Sequence, residues 1–128
     1  MPYTIDWAGD HTMLEFSGKV TYQELRDVGA AHYGDSRFDE IRYIILDFTG
    51  ADLSQISLDK PTIFASLDSA AVTYKTELKM AFVVHDEYLR RLCEKYIEDS
   101  IGFGSSWLHQ VVSSVEDARK WCEMRGSS

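Results

Sequence analysis

Two short and almost uninterrupted apolar runs constrain the fold of this 128-residue chain more than any other feature. They read YIILDF over Tyr43–Phe48 and LKMAFVV over Leu78–Val84, and a helical pattern lies between them. Strands that are covered on both faces carry such runs, because neither face meets water. Helices that alternate with buried strands predict a largely parallel sheet with right-handed crossovers.

The first part of the chain predicts an antiparallel hairpin. Apolar and polar residues alternate over residues 3–7 and again over residues 12–17, with a turn at residues 8–11 between them. A capping box then follows at Thr21–Glu24, where threonine and glutamate satisfy each other's backbone amides. It predicts a first helix that ends at Gly34.

Three further helices complete the pattern. The second is predicted from Lys60 to about Tyr74, with Asp59 and Pro61 at its start and with one face formed by Ile63, Leu67, Ala70 or Ala71, and Tyr74. The third begins after Asp86, and the fourth follows a last strand over residues 107–112. The expected fold is therefore α/β, in one domain over residues 1–128, with the element order ββαβαβαβα.

Charge and composition narrow the class of partner. Asp and Glu outnumber Lys and Arg by 21 to 13, which gives a net charge of −8. Such a surface repels phosphate backbones and anionic headgroups, so nucleic-acid binding is disfavoured. No apolar run approaches the roughly 20 residues that cross a bilayer. The first residues, MPYTIDW, lack the features of a signal peptide. These features predict a cytoplasmic protein without membrane insertion.

The carboxyl ends of the predicted parallel strands form the candidate ligand edge. Asp47, Thr49, His85 and Asp86 come together there, and ligands of α/β proteins prefer this edge. His85 and Asp47 would form an acid–base pair across neighbouring strands if they meet. The alternative is structural: Asp86 caps a helix, and His85 is a satisfied or exposed histidine.

The loop from Thr49 to Asp59 offers two candidate regulatory hydroxyls, Ser54 and Ser57. A phosphate on Ser57 would lie near the N-terminus of the second helix, whose dipole favours an anion. Asp52 and Asp59 oppose it, because they bracket the serine with like charge. The alternative is that Ser57 is only a polar turn residue.

The sequence contains no motif for catalysis or for a cofactor. It has no nucleophile elbow, phosphate-binding loop or dinucleotide motif, and its cysteines and histidines lack metal-ligand spacing. The prediction is therefore a protein that is not an enzyme and that needs no metal or cofactor. Aromatic residues either fill the core or line an apolar pocket beside the third helix: Tyr88, Tyr96, Phe103 and Trp107.

Five segments carry a likeness to a known family: YTIDW, LEFSGKVTYQELRDV, RFDEIRYIILDFTGAD, LKMAFVV and SSVEDARKWC. Through them, nearly all of residues 1–125 resembles the small bacterial STAS-type proteins called SpoIIAA-like, also known as STAS/SEC14 domain-containing proteins. The resemblance implies a STAS-like fold, a mixed sheet flanked by helices, with no known catalytic residue set.

The resemblance also implies two functions. Anti-sigma-factor antagonists carry a phosphorylated serine in a DSSG-type motif, and Ser57 lies near that position in the loop LSQISLD. The Asp before the serine, the paired Ser and the following Gly of that motif are absent here. The resemblance and the absence of catalytic motifs together predict a non-enzymatic regulatory module that recognises a protein partner or a second copy of itself. The alternative is a small-molecule or lipid carrier of the SEC14 type, with a pocket between the sheet and helices two and three.

Overall fold

The computed structural model describes residues 3–124. Five strands and five helical segments follow in the order β1 (Tyr3–Trp7), β2 (His11–Lys19), α1 (Tyr22–Tyr33), a 3-10 turn (Ser36–Glu40), β3 (Tyr43–Asp52), α2 (Lys60–Val72), β4 (Lys79–Val83), α3 (Glu87–Gly102), β5 (Leu108–Val112) and α4 (Val115–Glu123). The predicted order of strands and α-helices is confirmed.

The strands lie in the sheet in the same order as in the chain. β1 pairs with β2 in antiparallel fashion, and the other three pairings are parallel, as the sequence predicts. Right-handed crossovers between strands in sequential order place every crossover helix on the same face of a sheet. The front face, marked by Leu14, Ile44 and Phe82, accordingly packs against α1, α2 and α3. α4 has no strand to return to and covers the back face, over Ile45 and Val83.

The strand β3 is longer than its apolar run. The sequence predicts a strand that ends at Phe48 and a polar loop from Thr49, whereas the structure continues the strand to Asp52. The reason is the partner strand: β2 also runs on, and after a bulge its residues 17–19 pair with residues 50–52 of β3. The prediction that Thr49 lies in a loop is therefore wrong, because strand pairing overrides the polar side chains.

The predicted capping box begins α1. The Thr21 hydroxyl accepts from the Glu24 amide at 3.1 Å, and the Thr21 amide donates to the Glu24 carboxylate at 2.8 Å. The helix ends before Gly34, as predicted. A Cβ at Gly34 would lie only 2.9 Å from the carbonyl oxygen of Ala30, so this close approach requires glycine.

We expect Thr21→Ala to lower the free energy of unfolding by about 1 kcal/mol, because it leaves the Glu24 amide without its acceptor. Urea denaturation measures the change. Thr73→Ala is the matched control at the C-terminal end of α2, where the hydroxyl donates to the Ala70 carbonyl. If both variants lose the same stability, the capping box has no special role in forming α1.

The apolar stripe of α2 faces solvent. Ile63 and Leu67 lie on α2 and are 36% and 46% exposed, and Tyr74, two residues beyond the end of the helix at Val72, is 62% exposed. Other residues of α2, with smaller side chains, are buried against α3 and the front core. They are Pro61, Ala65 and Ala71. Small side chains let α2 approach its neighbours closely, so the larger apolar residues remain on the outside.

Both cysteines are buried and unpaired, Cys93 in the front core and Cys122 in the back core. Over the described range 3–124, no helix is long and apolar enough to cross a membrane.

Candidate functional site

The residues of the predicted ligand edge lie where β4 ends beside β3, but each has hydrogen-bond partners other than a shared ligand. Asp47 lies within β3, opposite Glu15 of β2 and Val83 of β4. Its carboxylate accepts from the Thr49 amide at 3.0 Å and from the Thr49 hydroxyl at 2.6 Å. Asp47 and Thr49 are therefore bound to each other.

His85 and Asp86 follow β4 and have partners of their own. His85 Nε2 lies 2.6 Å from the carbonyl oxygen of Ser113, which follows β5. The Asp86 carboxylate accepts from the Leu89 amide at 3.3 Å and caps α3. Among residues 3–124, His85 makes no hydrogen bond to Asp47, so the acid–base pair is not assembled. The same range holds no group of three His, Cys, Asp or Glu side chains that could bind a metal ion.

Ser54 and Ser57 lie exposed between β3 and α2. The Ser54 amide donates to the Asp52 carboxylate at 2.9 Å, and the Ser57 hydroxyl donates to the carboxylate of Asp59. The hydrogen bond from Ser57 lowers the pKa of Asp59. The Asp59 side chain makes no capping hydrogen bond to α2.

A cavity of about 140 Å³ lies between the front face of the sheet and helices α1, α2 and α3. Its floor consists of apolar side chains from β2, β3 and β4, among them Leu14, Ile44, Leu46, Phe48, Met80 and Phe82. Its walls come from the three helices and include Val28, Tyr33, Phe64, Asp68, Leu92 and Tyr96. The site is close to the predicted pocket, with α1 as an additional wall.

The cavity is connected to solvent. Leu46 lies on the central strand and faces the helices, a position at which side chains are normally fully buried, yet it is only half-buried. Gly29 of α1 also borders the cavity, and a Cβ built on it meets no atom within 4 Å. Open space therefore extends from the floor of the cavity to α1.

Asp68 of α2 is the acidic group among the cavity residues. The Tyr96 hydroxyl of α3 donates to its Oδ2 at 2.5 Å, and the Tyr33 hydroxyl of α1 also approaches the carboxyl group. Burial raises the pKa of Asp68 to about 6, against the smaller opposing effect of the two hydroxyls. Asp68 takes part in none of the ion pairs found within residues 3–124.

The other titratable groups around the cavity stay neutral near pH 7. His32 of α1 lies 2.8 Å from the Thr12 hydroxyl through Nε2, and burial lowers its pKa to about 4. Burial raises the pKa of Cys93 to about 12 and that of Tyr96 well above its ordinary value. Only Asp68 among these groups changes its charge between about pH 5 and 7.

Sequence reasoning missed Asp68 as a site residue. Spacing on α2 suggested Ile63, Leu67 and Tyr74 as its apolar face, which places Asp68 off that face. The available signal was a pair of small residues, Ala65 and the already considered Ala71, which lie three residues from the acid on either side. Of the aromatic residues for which pocket and core were both considered, Tyr96 lines the cavity, Trp107 is buried and Phe103 is 51% exposed.

Comparison with known proteins identifies the fold. No family model matches the chain, and no curated protein matches its sequence significantly. Among solved structures, the unphosphorylated form of the anti-sigma factor antagonist SpoIIAA superposes with a TM-score of 0.53 at 9% identity, over 92% of this chain and 94% of that one. An uncharacterized DUF3478-family protein with a SpoIIAA-like fold, from Shewanella loihica PV-4, gives a TM-score of 0.54 at 15% identity, over 94% and 91%. The predicted resemblance is confirmed at the level of architecture: this chain has the SpoIIAA-like fold.

Proposed function

We propose that this protein is a non-enzymatic regulatory module of STAS type that binds a protein partner through α2 and the segment Thr49–Asp59. The observation that carries the proposal is the exposed apolar stripe formed by Ile63 and Leu67 on α2 and by Tyr74 just beyond its end. Grouped apolar side chains on a surface favour association, because covering them removes apolar area from water. The likeness to a protein described as an anti-sigma factor antagonist supports the same class of function.

The segment before α2 supplies the regulatory part of the proposal. Ser54 and Ser57 expose their side chains next to the helix that carries the stripe. A phosphate on Ser57 would displace the hydrogen bond to Asp59 and would place two negative groups side by side. Phosphorylation would therefore change the charge of the partner surface beside the apolar stripe.

Leu67→Ser tests the partner surface. We expect it to weaken partner binding about tenfold or more while it changes the free energy of unfolding by less than about 0.5 kcal/mol, because Leu67 is already 46% exposed. The measurement is native mass spectrometry of the tagged chain from its own cells, followed by titration of the partner found. This spectrum also reports a second copy of the chain and any phosphate.

Met124→Ser is the matched control. Met124 is 47% exposed and follows α4 on the opposite side of the sheet, so partner binding should remain unchanged. Equal loss in both variants, or full binding by Leu67→Ser, would contradict the assignment of the surface to α2.

A second candidate function is the binding of a small apolar molecule in the cavity. The observation that favours it is the volume of 140 Å³ behind an almost entirely apolar lining. An engineered apolar cavity of about 150 Å³ stays dry and binds benzene. A ligand of that size fits here, whereas pockets for larger ligands measure roughly 300–1,000 Å³.

A further inference from the structure

The cavity holds an acidic group without a counter-ion. Asp68 borders it, two tyrosine hydroxyls approach the carboxyl group, and none of the ion pairs within residues 3–124 includes this residue. A carboxylate has about four acceptor sites, so the hydrogen bond from Tyr96 and the nearby Tyr33 hydroxyl leave room for a further donor. A buried charge costs free energy unless it is paired. A cation in the cavity would supply the missing pair.

The lining also suits a cation with an apolar body. The rings of Phe48, Phe64 and Phe82 border the same cavity as Asp68, and aromatic faces attract ammonium groups. His32 also lines it but is neutral near pH 7, so it does not repel a positive charge. The net charge of −8 attracts cations to the whole molecule.

We propose that the cavity binds a small primary ammonium compound with an aromatic or short aliphatic body, and that Asp68 is its counter-ion. This inference rests on the second candidate function and names its ligand class. Benzylamine matches the requirement, since its ring is the size of the benzene that a cavity of about 150 Å³ accepts. A neutral analogue would leave the carboxylate unpaired, and an anionic analogue would be repelled by it.

The pH dependence follows from the titratable groups around the cavity and beside Asp68 on each element. They are Tyr33 and His32 from α1, Cys93 and Tyr96 from α3, and His109 from β5, whose ring lies against Tyr96. The pKa values of both histidines lie at about 4 and that of Cys93 at about 12, so Asp68 alone titrates between them. Asp68 is about one-tenth ionised at pH 5 and almost fully ionised at about pH 7.5, so benzylamine should bind about tenfold tighter at the higher pH.

The test is a titration of the full chain with benzylamine, benzyl alcohol and phenylacetate, followed by NMR chemical shifts. At about pH 7.5 we expect the affinity for benzylamine to be at least about tenfold higher than the affinity for benzyl alcohol. We expect phenylacetate not to bind. Asp68→Asn should remove the preference for the amine, while Asp39→Asn, at an exposed aspartate of the 3-10 turn, should retain it. Gly29→Leu should weaken both ligands because it fills the open space beside α1.

The results distinguish binding of an apolar ligand in the cavity from recognition of an ammonium group by Asp68. Equal affinity for the amine and the alcohol, or an amine preference that survives in Asp68→Asn, overturns the ammonium assignment and leaves the apolar-ligand function standing. Failure of all three compounds to bind overturns both. The pH titration uses the parent protein, so it does not depend on whether Asp68→Asn folds. An affinity for benzylamine that does not change with pH contradicts the role of Asp68.

Discussion

Replacing Phe38 with alanine is expected to lower the free energy of unfolding by about 3–5 kcal/mol, the range for large aromatic residues in well-packed cores. Phe38 lies in the 3-10 turn between α1 and β3 and is 1% exposed. Its ring makes edge contacts with His32 at 5.3 Å and with Tyr33 at 4.9 Å, measured between ring centroids. Truncation would leave a void between α1 and the core that the short turn cannot close.

Urea denaturation with linear extrapolation measures this loss. Phe103→Ala is the matched control, because the same ring is removed at a position that is 51% exposed after α3. We expect the control to change stability by less than about 0.5 kcal/mol. A loss below about 1 kcal/mol in Phe38→Ala would mean that the turn is not held by this side chain.

Asp68→Asn is expected to stabilise the protein at neutral pH. The pKa of Asp68 rises from 3.8 to about 6 on folding, because burial disfavours its charged form. The folded state therefore holds the proton more tightly than the unfolded state. The stabilising contribution is complete below about pH 4 and is lost as the pH rises through about 6. Asparagine keeps an acceptor oxygen for Tyr96 and never carries a charge. The variant therefore does not lose stability as the pH rises through about 6.

At about pH 7.5 the variant should exceed the parent by about 1–3 kcal/mol in free energy of unfolding, and at about pH 4 the two should agree within about 0.5 kcal/mol. His32 and His109 act in the opposite direction, because burial lowers the pKa of each to about 4 and stability is lost as the pH falls through that value. Both histidines are common to parent and variant, so the difference between the two curves isolates Asp68.

Asp39→Asn is the control for this comparison, since it removes one negative charge from the exposed surface without touching the cavity. If Asp68→Asn is no more stable than the parent at about pH 7.5, the carboxyl group is better solvated than its position between three helices indicates. A stabilising asparagine would show that this acid is kept at a cost to stability, as residues of binding sites often are.

Residues that act locally could be read from the sequence. Thr21 and Glu24 form the capping box because both partners lie within one helical turn, and Asp86 caps α3 for the same reason. The apolar runs at residues 43–48 and 78–84 form neighbouring parallel strands, because only a sheet covered by helices buries both faces of a strand. Alternation of these elements predicts a largely parallel α/β sheet, and the resemblance of five segments to SpoIIAA-like proteins implies the SpoIIAA-like architecture.

Long-range packing decided what the sequence could not. The extension of β3 to Asp52 depends on pairing with β2, and it places Thr49 in a strand and not in the predicted loop. The orientation of α2 depends on how closely its small residues approach α3, and it placed Leu67 in solvent and Asp68 beside the cavity. The rotation of α2 about its own axis thus determines both the candidate partner surface and the candidate ligand site. The amino-acid sequence by itself determines which segments are helices and strands and in what order they follow one another along the chain. Only the tertiary structure brings Asp68, Tyr96 and Tyr33 together from three helices, because their meeting depends on contacts between residues far apart in the chain.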